Sequence, residues 1–230
     1  MYKNFADKIL TMSTPKRLQA PRLPNRLTLT PADKVALQDF DEFSDLLLER
    51  PDFTGQQEEH IIFNAVHCKQ GRWSKSRLRG IRCTDVRFEH CDLANATWEQ
   101  LNAQRMEWIA CQLLGWRVPE AHLQNVRFQQ CNGQLANFRF VTFKAARFEQ
   151  CNLRHADFQR ADLSGVVFHK CDLSHAQLSG ATLKGADFRS SLIEEIKVGV
   201  QELPGAIVDY MQAAYIAGLL GVVIKEEHEE

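Results

Sequence analysis

Residues 156–165 read Ala156-Asp157-Phe158-Gln159-Arg160-Ala161-Asp162-Leu163-Ser164-Gly165, two copies of one five-residue pattern: small, acidic, large apolar, then two polar or small residues. Upstream, the large residue recurs at every fifth place as Trp73, Leu78, Phe88, Leu93, Trp98, Trp108, Leu113, Val118, Leu123, Phe128, Phe138, Phe143, Phe148 and Leu153. Downstream it recurs as Phe168, Leu173, Leu178, Leu183, Phe188 and Ile193. A smaller residue stands two places before it, as at Val86, Cys91, Ala96, Val126, Ala136, Ala146, Ala176 and Ala186. Cys91, Cys111, Cys131, Cys151 and Cys171 are spaced by twenty residues, four of these units.

A helix repeats its apolar positions about every 3.6 residues and a strand about every 2, so a sustained period of five points to a stacked array. No unit can bury its apolar residue alone. Stacking buries it on the coil below, while backbone groups pair between coils. The unit Cys91-Asp92-Leu93-Ala94-Asn95 and the two quoted above resemble the pentapeptide-repeat family, whose loose consensus is a small residue, Asp or Asn, Leu or Phe, and two polar residues. The resemblance covers roughly Ile61 to Ile193. It implies an all-β solenoid, a right-handed quadrilateral β-helix in which four units make one square turn.

On that reading Phe88, Trp108, Phe128, Phe148, Phe168 and Phe188 form one inward column, and Leu93, Leu113, Gly133, Leu153 and Leu173 another. Gly133 leaves its place empty, and Trp116 puts an indole where a small residue is expected, so Trp116 is expected to fill the gap. With coils ~4.8 Å apart the rod is roughly 30 Å long.

The 230 residues, 44% of them apolar, suit one solenoid with appendages. No stretch approaches the ~20 apolar residues of a membrane span, and the N-terminus lacks the apolar core of a signal peptide. No membrane contact is expected, and a soluble, cytoplasmic protein is. The seven cysteines then read as reduced thiols filling Ala-sized inward places. Thiols stacked ~4.8 Å apart do not converge tetrahedrally on a zinc ion. Residues 61–200 carry 19 Lys and Arg against 13 Asp and Glu, whereas residues 201–230 carry 1 against 6, so a mildly basic coil ends in an acidic tail.

The divisions expected are an N-terminal arm and capping segment over 1–60, the repeats over 61–200, and a capping or dimerisation helix with its tail over 201–230. Met1 to about Thr30 reads as a loosely held arm, and Thr30 and Pro31 as a helix start. Phe43, Leu48 and Phe53 share the five-residue register and offer a rival reading as a first coil. Gln56 and Glu58 break that register, which sets the boundary near residue 60. Pro204 to Gly221 reads as a helix with Asp209 in its first turn and Gly221 closing it in the left-handed region. Its apolar residues lie on more than one side, so a cap alone would leave a face wet. The candidate dimer interface is Ile207, Tyr210, Met211, Ala214, Tyr215, Leu219, Val222 and Ile224, with Val223. The segment resembles the C-terminal helix of the quinolone-resistance members of the family, which implies a homodimer.

No constellation supports catalysis, and neither an enzyme nor a cofactor is expected. His90, His122, His155, His169 and His175 fall mostly at outward places. Asp92, Asp157, Asp162, Asp172 and Asp187 hold the second place of the unit, where a carboxylate bonds turn backbone. Arg72, Arg77, Arg82 and Arg87 form a candidate basic surface, although direct nucleic-acid binding is not expected without aromatic side chains interleaved for stacking. The resemblance to the quinolone-resistance proteins implies binding to DNA gyrase or another type II topoisomerase and its protection from inhibitors. A mimic of duplex DNA should be acidic, and this coil is not. The alternative is a structural scaffold whose partner is another protein.

Overall fold

The computed structural model describes residues 18–31 and 36–225. Among the described residues thirteen strands and one helix follow in order: β1 Thr28–Pro31, β2 Glu42–Ser44, β3 Leu46–Glu49, β4 Gln57–Glu59, β5 Ile62–Asn64, β6 His67–Lys69, β7 Arg77–Arg79, β8 Arg82–Glu89, β9 Thr97–Glu99, β10 Asn102–Ile109, β11 His122–Gln129, β12 Thr142–Glu149, β13 Val167–His169 and α1 Tyr210–Leu219. Every pairing is parallel, and from Glu42 onward each residue lies beside the one twenty places ahead, as Trp108 beside Phe128 and Phe148 beside Phe168. Single bridges extend the same register down the rod through Asp92, Gln112, Asn132, Asn152, Asp172 and Leu192. The expected quadrilateral β-helix with a C-terminal helix is the fold, a parallel solenoid of about seven turns.

The five-residue unit makes the square section. Its first and third residues point inward, and its fifth turns the corner in the left-handed region, as at Asn95 (φ 56°), Arg105 (φ 54°) and His155 (φ 56°). Backbone groups pair between coils: Phe158 N–H donates to the Gln177 carbonyl at 2.8 Å, and Asp157 N–H to Ala136 at 2.9 Å. The eight-residue strands β8, β10, β11 and β12 each run across two faces through one such corner.

The columns are as expected. Trp108, Phe128, Phe148, Phe168 and Phe188 stack with ring centroids 4.4, 4.5, 5.1 and 5.1 Å apart. Each thiol from Cys111 to Cys151 repeats one geometry: Cys131 Sγ donates to the Trp108 carbonyl at 3.3 Å and to Gln129 at 3.4 Å, and Cys151 to Phe128 and Glu149 at 3.4 Å each. Ser191, one coil beyond Cys171, bonds the Phe168 carbonyl at 3.0 Å. Burial alone drives the Cys83 thiol well above its ordinary value. At Gly133, Leu153 Cδ2 lies 2.9 Å from where a Cβ would stand. Trp116 packs against Trp98 and Trp108 and against Phe128 and Phe138, the inward residues on either side of Gly133 in its own coil.

Both ends differ from the boundaries read in the sequence. Leu48 and Phe53 are buried, and β2 and β3 pair with β5 and β6, so the coil starts near Glu42 rather than residue 61. Thr28–Pro31 is a strand paired with Leu46–Glu49, and the helix expected to start at Thr30 and Pro31 falls on residues 32–35, outside the described residues. At the far end Ile207 still bridges Asp187 as part of the last coil. The helix is shorter than Pro204–Gly221, and Asp209 is its N-cap rather than a first-turn residue. Gly221 closes it at φ +83°, as expected.

Candidate interaction surfaces

The outward faces are built from the second and fourth residues of each unit. At the second place the carboxylate or amide accepts from the backbone two residues on: Asp92 from Ala94, Asp157 from Gln159, Asp162 from Ser164, Asp172 from Ser174 and Asp187 from Arg189, all within 3.1 Å. These acids hold turns and are not paired for chemistry. His155 and His175 stack at 4.5 Å on one corner, and His175 Nδ1 lies 3.3 Å from Glu195. A shallow groove of about 410 Å³ runs past His60, Arg82, Glu120 and His122, with no Ser, Thr or Cys among the residues that line it. Among the described residues no three His, Cys, Asp or Glu side chains gather to hold a metal ion, and no helix is long and apolar enough to cross a membrane.

Arg72, Arg77, Arg82 and Arg87 do not form one surface. Successive units occupy successive faces, and the four arginines stand in four different columns, beside Asp92, Thr97, Asn102 and Glu107 respectively. Arg72 pairs with Asp52 at 2.5 Å and Arg87 with Glu107 at 2.8 Å. On the face of Arg87, His67 meets Glu89 at 2.9 Å, while Arg127 and Arg147 both meet Glu149. Each of the four faces holds both signs, so the net positive charge of the repeats is spread around the rod.

One corner is covered. The N-terminal arm, read as loosely held, lies along the corner of Asp85, Arg105 and Asn125 in the residues described. Arg22 N–H donates to Asp85 Oδ1 at 2.8 Å, and Gln19 N–H to Asn125 Oδ1 at 3.3 Å. Arg105 forks onto the same carboxylate at 2.6 and 2.7 Å. Burial pushes the Asp85 carboxyl up, but the Arg105 guanidinium and the Arg22 amide outweigh it and hold the group below the usual carboxylate range. Among the described residues the hydrogen bonds of the arm to this corner come from its backbone, so composition gave no sign of this contact.

The helix α1 is seated by a polar residue. Gln212 is buried, and its Nε2 donates at 2.7 Å to the carbonyls of both Phe188 and Ser191. Its Oε1 accepts from Asp209 N–H at 3.0 Å, closing a capping box. Tyr215 leans on the core, and its hydroxyl accepts from Glu195 N–H at 2.5 Å. The candidate interface therefore divides. Ile207, Ala214 and Tyr215 are half-buried, whereas Tyr210, Met211, Leu219, Val222 and Ile224 are exposed, with Tyr210 at 84% and Val223 at 77%.

The chain matches the family description "Pentapeptide repeat region" over residues 81–158 and "Pentapeptide repeats (8 copies)" over residues 151–189. A trypsin-treated form of QnrB1, a plasmid-mediated fluoroquinolone resistance protein, is 21% identical with a TM-score of 0.39, over 82% of this chain and 99% of that one. HetL, a pentapeptide repeat protein involved in heterocyst differentiation regulation in the cyanobacterium Nostoc sp., is 16% identical with a TM-score of 0.40, over 74% and 87%. Rfr23 from the cyanobacterium Cyanothece is 12% identical with a TM-score of 0.20, over 74% and 90%. No curated protein sequence matches.

Proposed function

The chain is a pentapeptide-repeat protein, and from that premise we propose that it acts without catalysis, as a rod that pairs with a second copy through its C-terminal helix and binds another protein along its faces. The observation that carries the pairing is the run of exposed apolar side chains from Tyr210 to Ile224. Tyr210 and Met211 lie on the first turn of α1, and Leu219, Leu220, Val222, Val223 and Ile224 at its end, each more than 40% exposed. Exposed apolar side chains at both ends of this helix, at one end of the rod, have the composition of an interface core. The helix already caps the last coil through Gln212 and Tyr215, so this outer side is spare. Sedimentation equilibrium is the test. A dimer that Met211→Glu with Val223→Glu dissociates, with thermal unfolding unchanged, supports the pairing; a wild-type monomer at tens of micromolar refutes it.

The narrower reading is a partner among the type II topoisomerases, with DNA gyrase the first to try. A two-fold pair of rods joined at their C-terminal ends has the extended shape that such a role needs. Charge speaks the other way, because a surrogate for duplex DNA presents a continuous acidic face and every face here holds both signs. Gyrase supercoiling and quinolone-stabilised cleavage, titrated with the protein at two salt concentrations, decide it. Inhibition or rescue supports the reading, and no effect leaves a scaffold for a different protein.

A further inference from the structure

The corners of the rod are nearly all small, polar or charged, and this follows from their backbone. In the left-handed region a Cβ crowds the following carbonyl, and Gly, Asn and Asp tolerate it best. Among the described corners three carry large apolar side chains instead: Phe40, Leu135 and Phe140, with φ of 66°, 59° and 60°. Phe40 stands at the N-terminal end of the rod, stacked on His60 at 5.2 Å. Leu135 and Phe140 are consecutive corners, so they flank a single face halfway along the rod. Both side chains face water, Leu135 at 56% and Phe140 at 46% exposure. Neither fills the core nor favours its own backbone, so the fold gives no reason for them.

Their surroundings point to a ligand. The Phe140 ring lies between two guanidiniums, Arg139 at 5.8 Å and Arg160 at 5.6 Å from its centroid. On the same face, one coil towards the N-terminus, Arg117 stands beside Asn137. Among the described residues neither Arg117 nor Arg160 makes an ion pair, and Arg139 reaches Asp157 only at 3.8 Å. Three guanidiniums thus face two nearby carboxylates, Glu120 and Asp157, which leaves the face net positive around two apolar anchors. An aromatic ring flanked by arginine is the composition of a binding hot spot, and the charge selects an acidic occupant.

We infer that the face between the Leu135 and Phe140 corners docks an acidic protein segment that places large apolar side chains against these two anchors. The inference is independent of pairing through α1, which lies at the end of the rod. A lipid surface fits less well, since two side chains on a ridge offer little area to insert.

The probe is a displayed library of random twelve-residue peptides selected on the full-length protein. Selected peptides are expected to combine Asp or Glu with Leu, Phe or Trp. As labelled peptides in fluorescence anisotropy, they should lose tenfold or more in affinity to Leu135→Asn with Phe140→Asn, and little to Phe40→Asn. The double variant should keep or raise its melting temperature, because Asn suits the left-handed corner. A fall of several degrees would show that the two side chains serve the fold and would overturn the proposal. So would a selection that yields no binders, peptides without acidic residues, or affinity indifferent to the double variant. Phosphatidylserine vesicles are the control, and vesicle binding that the same variant abolishes would assign the face to lipid instead.

Discussion

At Asp85 one carboxylate fastens the arm to the coil. Its folded pKa lies below the ordinary value of 3.8, so the unfolded chain takes up this proton first as pH falls. The contribution to stability is therefore complete above the unfolded value and is lost as pH drops through the folded one. Asp85→Asn should flatten the fall in urea midpoint below about pH 4, relative to wild type measured over the same range. Gly133 sets a steric limit. With Leu153 Cδ2 2.9 Å from the missing Cβ, Gly133→Leu should destabilise by about 1–3 kcal/mol in chemical denaturation. A neutral result would mean that Leu153 turns aside freely. The empty place was legible in the sequence because it broke a column, but the close approach of Leu153 was not. Register identifies which residues stack, whereas the rotamer of Leu153 depends on neighbours from other faces.

Among the elements, α1 shows where pattern reading falls short. Its apolar residues, on more than one side, suggested a cap held by apolar contact, yet its one buried side chain is an amide bonded to two carbonyls of the last coil. Gln212→Ala should remove both bonds and leave the Phe188 and Ser191 carbonyls short of a donor. We expect a loss of about 1–3 kcal/mol by thermal or urea unfolding, and faster proteolysis after residue 208. An unchanged midpoint would mean that Tyr215 and the apolar contacts seat the helix alone. The first coil was hidden for a related reason. Glu58 holds the place that Leu78 and Trp98 fill in the next two coils, and this carboxylate at a half-buried position disguised the register. Desolvation and the nearby Asp39 push its carboxyl up. The exposed corners at Leu135 and Phe140 fell outside the apolar series altogether, since only the inward places were expected to be apolar.

For the whole molecule, a repeat of twenty residues was enough to establish the coil, its inward columns and the turn-holding acids, since each follows from one local unit copied along the chain. The distribution of charge was not legible in the same way. Four arginines five residues apart look like a cluster in the sequence, but a square coil sends them to four sides, where partners one turn away neutralise Arg72 and Arg87. Such an array is held together mostly by contacts between adjacent turns, so opening should begin at its ends. The line of buried thiols described above makes that order readable. Cys91, Cys111, Cys131, Cys151 and Cys171 each belong to a different turn and are at most 3% exposed. Each should react with a maleimide only when its own turn comes apart. In mild denaturant, peptide mass spectrometry should find Cys171 and Cys91 modified before Cys131, and Gln212→Ala should accelerate Cys171 most. Equal rates at all five would mean that the rod opens at once. The cysteines thus serve as a ruler graded in single turns, from which the direction of unravelling can be read without adding any label site to the chain.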